Sequence, residues 1–384
     1  MTDFDIVPTD AIEYGHATDA YFDRTEETLE HADVNPEVTA EVTLGQFPSG
    51  NYHVFAGIKD VAALFEGLPV DVDALEEGRL FDGGPVVRIK GDYLSFARFE
   101  TALLGFLSHA SGFATRALEA RTAAPNSTVM SFGARHVHPS ITATVERASM
   151  VAGLDGFSHV AAGQVLGREA SGTMPHSLII PFGHGNQEDA WRSFDEAVNE
   201  SVPRIALCDT FDDETDEVRR AIEELGDDLD GVRLDTTGSR RGDFRHIIKE
   251  VRWELNAYDL GDTDIFVSGG IDPEEMRHTR DLVDGFGIGS HITDGDPLDF
   301  GLDIVEMDGE PVAKRGKLPD VKEVYRTLDG GHHVQLVDAD APDNSEELLK
   351  PTVRDGEVVR DFDIDEAAER LHDDPALDRF ADKS

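Results

Sequence analysis

The sequence predicts an α/β protein: an irregular α/β barrel of about six parallel strands over residues 116–295, with an N-terminal α/β sandwich-like domain (1–115) before it and a return segment with a small C-terminal extension (296–384) after it. Three observations carry this prediction. Between Thr128 and Thr293 short apolar runs alternate with amphipathic stretches, the pattern of parallel strands joined by helical crossovers. Two of these runs, Asp264-Ile265-Phe266-Val267-Ser268-Gly269-Gly270 and Gly285-Phe286-Gly287-Ile288-Gly289-Ser290, pass from buried-strand character into glycine, as late barrel strands do where the backbone must turn sharply beside an anion. The first hundred residues alternate strand-like and turn-like segments instead. Six strands rather than eight leave a doubly wound sheet as the second reading.

In chain order, residues 38–47 and 52–57 read as paired strands around Pro48-Ser49-Gly50, 61–65 as a short apolar segment, and 86–90 as a further strand. Apolar residues Phe96, Phe99, Leu103, Leu104, Phe106, Leu107 and Phe113 recur at helical spacing, so 95–124 is one or two helices linking the first domain to the second. The repeat that follows predicts strands at 129–132, 156–160, 204–208, 231–235, 264–268 and 286–289. Helices are expected at 139–152, 188–200, 213–225, 241–257 and 273–283. A β-like stretch at 303–310, a polar segment containing Gly330-Gly331-His332-His333, and a helix near 366–372 complete the reading.

At 384 residues the chain is long enough for two or three domains. Neither a long apolar run nor, in Met1-Thr2-Asp3-Phe4-Asp5, the basic and then apolar start of a signal peptide is present, so a cytoplasmic protein is expected. The single cysteine, Cys208, excludes an intrachain disulfide and a cysteine-rich zinc site. With 79 acidic against 34 basic residues the formal charge is −45, which argues against nucleic-acid partners and suits a cytosol of high salt. Clusters such as Asp212-Asp213-Glu214 read as solvated faces.

Candidate chemistry collects at the ends of the expected strands, where a barrel builds its site and where the glycine ends suit a phosphorylated sugar. Ser131-Phe132-Gly133-Ala134-Arg135-His136-Val137-His138 places an aromatic, a glycine and a basic cluster at a helix start. It suits an anionic substrate, or serves as turn residues with surface charge. Gly172-Thr173-Met174-Pro175-His176 offers a histidine able to accept a phosphoryl group or shuttle a proton, unless it is structural. Arg233 and Asp235 alternate with apolar neighbours and so share a strand face. Arginine there can clamp phosphate and the carboxylate can hold ribose hydroxyls or magnesium; a buried ion pair is the other reading.

Taken with Thr18-Asp19-Ala20-Tyr21-Phe22, Arg233-Leu234-Asp235-Thr236 and the two glycine segments, these motifs resemble the nicotinate phosphoribosyltransferase family, its archaeal branch in particular, from about Thr18 to Arg326. The resemblance implies transfer of phosphoribose from phosphoribosyl pyrophosphate to nicotinate, giving nicotinate mononucleotide for NAD synthesis. It further implies Mg²⁺, ATP as co-substrate, and a homodimer or larger assembly with shared active sites. Carried over by motif, Phe132 stacks on the pyridine ring and Tyr21 of a neighbouring subunit covers its other face. Arg135, with His136 or His138, holds the carboxylate. Arg233 and Asp235 bind the phosphoribose, Ser268, Gly269, Gly270, Gly289 and Ser290 take its 5′-phosphate, and His176 matches a phosphorylated histidine.

Departures are present too. The zinc knuckle of archaeal relatives has no counterpart, since no cysteine follows Tyr325, and no metal is assigned to the protein itself; His332 and His333 read as a solvated polar loop. Gly163-Gln164-Val165-Leu166-Gly167 also differs from the corresponding family turn. Quinolinate phosphoribosyltransferase is the rival, with a similar linker helix around Ala110-Ser111-Gly112-Phe113. It is ranked lower because a dicarboxylate asks for a denser cationic site and no lysine lies between Lys90 and Lys249. Nicotinamide as substrate would leave Arg135 without a carboxylate to hold. A non-catalytic nucleotide-sensing barrel would have no need of Phe132, Tyr21, Arg233 and Asp235, all of which are present.

Overall fold

The computed structural model describes residues 6–381, and the chain divides into two compact units: Met1–Leu118 with Met150–Gly153 and Gly295–Ser384, and Glu119–Ser149 with Leu154–Asp294. The signal-peptide reading of residues 1–5 lies outside the described residues.

The first unit is built on a seven-stranded antiparallel sheet. Its order is Glu310–Pro311, Gly301–Met307, Glu37–Thr43, Pro85–Asp92, Val70–Ala74, Lys350–Arg354 and Glu357–Val358. The interior strand Glu37–Thr43 is buried at every position after its first, so Val38, Thr39, Val42 and Thr43 share the interior with a buried Glu41. That carboxylate is compensated by Lys322 Nζ at 2.9 Å. Val38, Val42, Ile89, Phe65 and Leu103 close one apolar core.

Two expectations for this unit are corrected. Residues 38–47 and 52–57 do not pair: Glu37–Thr43 joins Pro85–Asp92 and Gly301–Met307, while His53–Val54 pairs with Leu80–Phe81. Asp82 pulls the intervening turn aside, accepting the N–H groups of Ser49 (2.8 Å) and Gly50 (2.7 Å). The short apolar segment at 61–65, for which no element was expected, is the buried end of a helix, Ile58–Phe65. His332 is not in a solvated loop but in strand His332–Leu336, 7% exposed, with Nε2 2.9 Å from the Gly83 carbonyl. Residues 295–384 lend strands to the same sheet as the N-terminal segment.

The second unit holds six parallel strands: β1 Thr128–Ser131, β2 Gly156–Phe157, β3 Ile205–Leu207, β4 Gly231–Leu234, β5 Asp264–Val267 and β6 Gly285–Ile288. Their hydrogen-bonded order is β2-β1-β6-β5-β4-β3. Helices Thr142–Val151, Gln187–Ala197, Glu214–Leu225, Phe244–Ala257 and Pro273–Thr279 intervene. Glu214–Leu225, for example, follows the amphipathic period, burying Val218, Ala221, Ile222 and Leu225, and is capped by Asp213, which accepts from the Thr215 N–H. Among the described residues no helix is long and apolar enough to cross a membrane.

Candidate active site

A cavity of about 670 Å³ opens at the C-terminal ends of the parallel strands. Strand β1 delivers Phe132, Arg135 and His136, β4 delivers Arg233 and Asp235, β5 delivers Ser268, Gly269 and Gly270, and β6 delivers Gly287, Gly289 and Ser290. The loop Gly172-Thr173-Met174-Pro175-His176 completes one wall. Every cluster singled out in this half of the sequence therefore contributes to one space.

The glycines are there because neighbouring side chains occupy the room of a Cβ. A Cβ on Gly287 would overlap Phe132 Cε2 and Cδ2. One on Gly269, whose φ is +86°, would lie 2.6 Å from Asp235 Oδ1. These two glycines let the Phe132 ring and the Asp235 carboxylate enter the cavity.

Polar contacts fix the opposite side. Asp235 Oδ2 accepts from Ser268 Oγ at 2.7 Å. Arg233 donates through Nη1 to Thr173 Oγ1 (2.6 Å) and through Nη2 to the Met174 carbonyl (3.0 Å), which ties the 172–176 loop to β4. Burial lowers the Arg233 pKa, opposed by the charges of Asp235 and Asp209. Behind the Gly269 turn, the Arg241 guanidinium donates to the Gly269 carbonyl (2.5 Å) and to the Thr236 carbonyl (3.1 Å).

His176 Nε2 lies 3.0 Å from Asp209 Oδ1, and this hydrogen bond raises its pKa; burial works against it, Asp235 adds to it and Arg233 subtracts. Asp209 Oδ2 accepts the Asp235 N–H at 2.7 Å. Sequence reading missed Asp209, although it follows β3 as Asp235 follows β4, and the strand-end rule applied evenly would have found it. It also missed Ser158 and His159, which line the cavity after β2. The expected strand at 156–160 hid them: β2 ends at Phe157, and His159 caps helix Val160–Leu166 by accepting the Ala162 N–H at Nδ1 (3.1 Å). Neutral His159 thus carries its proton on Nε2.

Two expected site residues stand elsewhere. His138 is not among the cavity residues; its Nδ1 is 2.7 Å from Ser140 Oγ and caps a short turn. Tyr21 belongs to the first unit, on helix Ala20–His31, 55% exposed, with its hydroxyl 3.2 Å from Asp19.

Residues 19–111 match the quinolinate phosphoribosyl transferase N-terminal domain and residues 113–303 the C-terminal domain of the same family. The chain belongs to the quinolinate phosphoribosyl transferase family. A crystal structure of nicotinate-nucleotide pyrophosphorylase from Pyrococcus furiosus is similar over 99% of both chains, at 46% identity and a TM-score of 0.92. Human nicotinic acid phosphoribosyltransferase shares the fold at 21% identity and a TM-score of 0.76, over 92% of this chain and 93% of that one. Among curated proteins, a nicotinate phosphoribosyltransferase of Mycobacterium tuberculosis is 28% identical over 301 residues, 75% of this chain. The chain spans 64% of that relative's length.

These findings correct the nicotinate-type expectation. Both halves match quinolinate phosphoribosyl transferase models, and the reading of nicotinate as substrate, with the ligase-type enzyme class, gives way to its rival. ATP as co-substrate was drawn from that resemblance and goes with it. The physical reason is in the cavity. A scarcity of lysine is not a scarcity of groups for an anion, since Arg135 and Arg233, with His136, His159 and His176 as N–H donors, line one space.

Proposed function

We propose that this chain is a quinolinate phosphoribosyltransferase: it transfers phosphoribose from phosphoribosyl pyrophosphate to the ring nitrogen of quinolinate, releasing pyrophosphate and CO₂ and giving nicotinate mononucleotide. The observation that carries the reading is that those five arginines and histidines line one cavity with Phe132 in a protein of net charge −45. Two arginines and three imidazole donors gathered on one cavity of an acidic chain suit a substrate pair with several negative groups.

In this reading Phe132 stacks on the pyridine ring, while Arg135, His136 and His159 meet its two carboxylates. Arg233 and Asp235 hold the ribose, and Ser268, Gly269, Gly270, Gly289 and Ser290 take the 5′-phosphate. The C1′–O bond to pyrophosphate breaks as the N–C1′ bond forms. Protonated His176 lends positive charge to the departing oxygen. The resulting ring cation then accepts the electron pair left at C2 when the adjacent carboxylate departs as CO₂, and a proton replaces it. No protein nucleophile is required; the site orients two substrates and balances charge.

A barrel is the matching architecture. The order β2-β1-β6-β5-β4-β3 is the cyclic order of a six-stranded barrel opened between β2 and β3, and Met130, Ile205, Arg233, Phe266 and Phe286, from five of the strands, line one further cavity. Tyr21 is proposed to reach the ring of a neighbouring copy's substrate, as a shared-site dimer requires.

The test incubates the protein in high salt with the magnesium salt of phosphoribosyl pyrophosphate and either quinolinate or nicotinate. Nicotinate mononucleotide with stoichiometric CO₂ from quinolinate is expected. Product from nicotinate alone would overturn the assignment.

A further inference from the structure

We infer that Glu217, which does not line the cavity, is a positioning residue that holds Asp209 in place by binding the three peptide N–H groups that follow it. Glu217 lies on helix Glu214–Leu225 and is fully buried. Its Oε2 accepts the Thr210 N–H at 2.9 Å; its Oε1 accepts those of Phe211 (2.8 Å) and Asp212 (3.0 Å) and Gln187 Nε2 at 3.0 Å. One carboxylate therefore satisfies four donors, three of them consecutive along the backbone.

The constraint is transmitted over a single residue. Asp209 is the residue before Thr210, and its two oxygens divide between His176 Nε2 and the Asp235 N–H. If the 210–212 turn relaxes, Asp209 cannot keep both contacts, and two cavity residues on different elements lose their common brace. The loop's outer end has further supports, the Asp212 carboxylate meeting His184, Gln187 and Arg220, each at 3.0 Å, and Glu217 acts on the inner end through the Thr210 and Phe211 N–H groups. A buried carboxylate serving only to join helix to loop would need no such register with the one residue that bridges His176 and Asp235.

The inference rests on the proposed reading of the cavity, and its test includes a readout that does not. Glu217→Gln keeps the shape but turns an amide N–H against backbone N–H donors. In the folded variant, kcat should fall roughly tenfold or more while KM for phosphoribosyl pyrophosphate stays within about twofold, since a charge-assisted contact is lost from the transition state. The His176 titration, followed by NMR without substrate, should move down as the Asp209 contact that raises it loosens; the charges facing it are Asp209, Asp235 and Arg233. In an Asp209→Asn background the same substitution should change neither quantity further. Wild-type kcat together with a wild-type His176 titration in folded Glu217→Gln would overturn the inference. If that variant does not fold, Gln187→Leu, which removes the amide that donates to both Glu217 Oε1 and Asp212 Oδ2, is expected to shift both readouts in the same direction by less; no shift in either would overturn it. If the protein turns over neither pyridine substrate, the His176 titration alone decides, and the failure then belongs to the proposed function.

Discussion

Asp209 joins His176 to Asp235: one carboxylate oxygen lies 3.0 Å from His176 Nε2 and the other accepts the Asp235 backbone N–H at 2.7 Å. A histidine beside a nearly buried carboxylate keeps its proton to higher pH than a free one.

Asp209→Asn should therefore lower kcat by roughly ten- to a hundredfold, the span of one charge-assisted hydrogen bond. It should also move the alkaline limb of the pH profile to lower pH. The linkage has the same sign: because the folded-state pKa is raised, the stabilisation from this pair is complete below the unfolded value and disappears as pH rises through the folded one. A kcat/KM profile with an unchanged alkaline limb would refute this.

Gly287→Ala should act on Phe132. The added methyl overlaps the ring edge at Cε2 and Cδ2, and the neighbouring backbone of β6 is in a parallel ladder with β1, so the ring rather than the strand must move. Overpacking of this kind costs about 1–3 kcal/mol. The expected result is a rise in KM for the pyridine substrate of roughly tenfold, with KM for phosphoribosyl pyrophosphate less affected. Equal changes in both constants would point to general damage.

The parallel half of the chain was legible because its strands are short apolar runs closed by glycine or a polar residue, and all six begin and end within a few residues of expectation. Ser268–Gly270 and Gly287–Ser290 are legible as strand ends because glycine closing an apolar run marks them, although the side chains that fill the room of a Cβ at Gly269 and Gly287, Asp235 and Phe132, come from other strands. The antiparallel half was harder. Whether 38–47 pairs with 52–57 or with Gly301–Met307 depends on partners some 260 residues away, and no local pattern distinguishes them. Ser158 and His159 were missed for a related reason: they line the cavity only because β2 stops after two residues.

Glu146→Gln should stabilise the protein in neutral and alkaline solution. Glu146 is fully buried on helix Thr142–Val151 and neither carboxylate oxygen has a hydrogen-bond partner. Burial pushes its pKa up to about 7, with only the Ser131 hydroxyl working the other way. Folding therefore takes up a proton between the unfolded value and 7, and the carboxylate weakens the fold as pH rises through that window. The advantage of glutamine should be small below pH 4.5 and reach about 3 kcal/mol above pH 7. Denaturant midpoints of the two proteins at pH 4 and pH 8 check this; a constant difference would refute it.

His332 should make the first unit sensitive to acid in the opposite sense. Burial, reinforced by the Arg326 charge, lowers its pKa to about 4 against the weaker pull of the Gly83 carbonyl and Asp82. Nε2 lies within hydrogen-bond distance of the Gly83 carbonyl, while Nδ1 has no hydrogen-bond partner, so a second proton would sit on an unsolvated nitrogen beside a guanidinium. The unfolded chain accepts that proton near pH 6.5 and the folded chain does not until about pH 4. Stability from this residue is thus intact above 6.5 and falls as pH drops toward 4, by about 3 kcal/mol in all. His332→Gln can retain a donor to Gly83 and cannot take up the proton. It should be less stable than wild type at pH 7.5 through imperfect packing, and should lose that disadvantage at pH 4. Parallel denaturation curves at the two pH values, with the gap unchanged, would show that His332 does not carry the acid sensitivity.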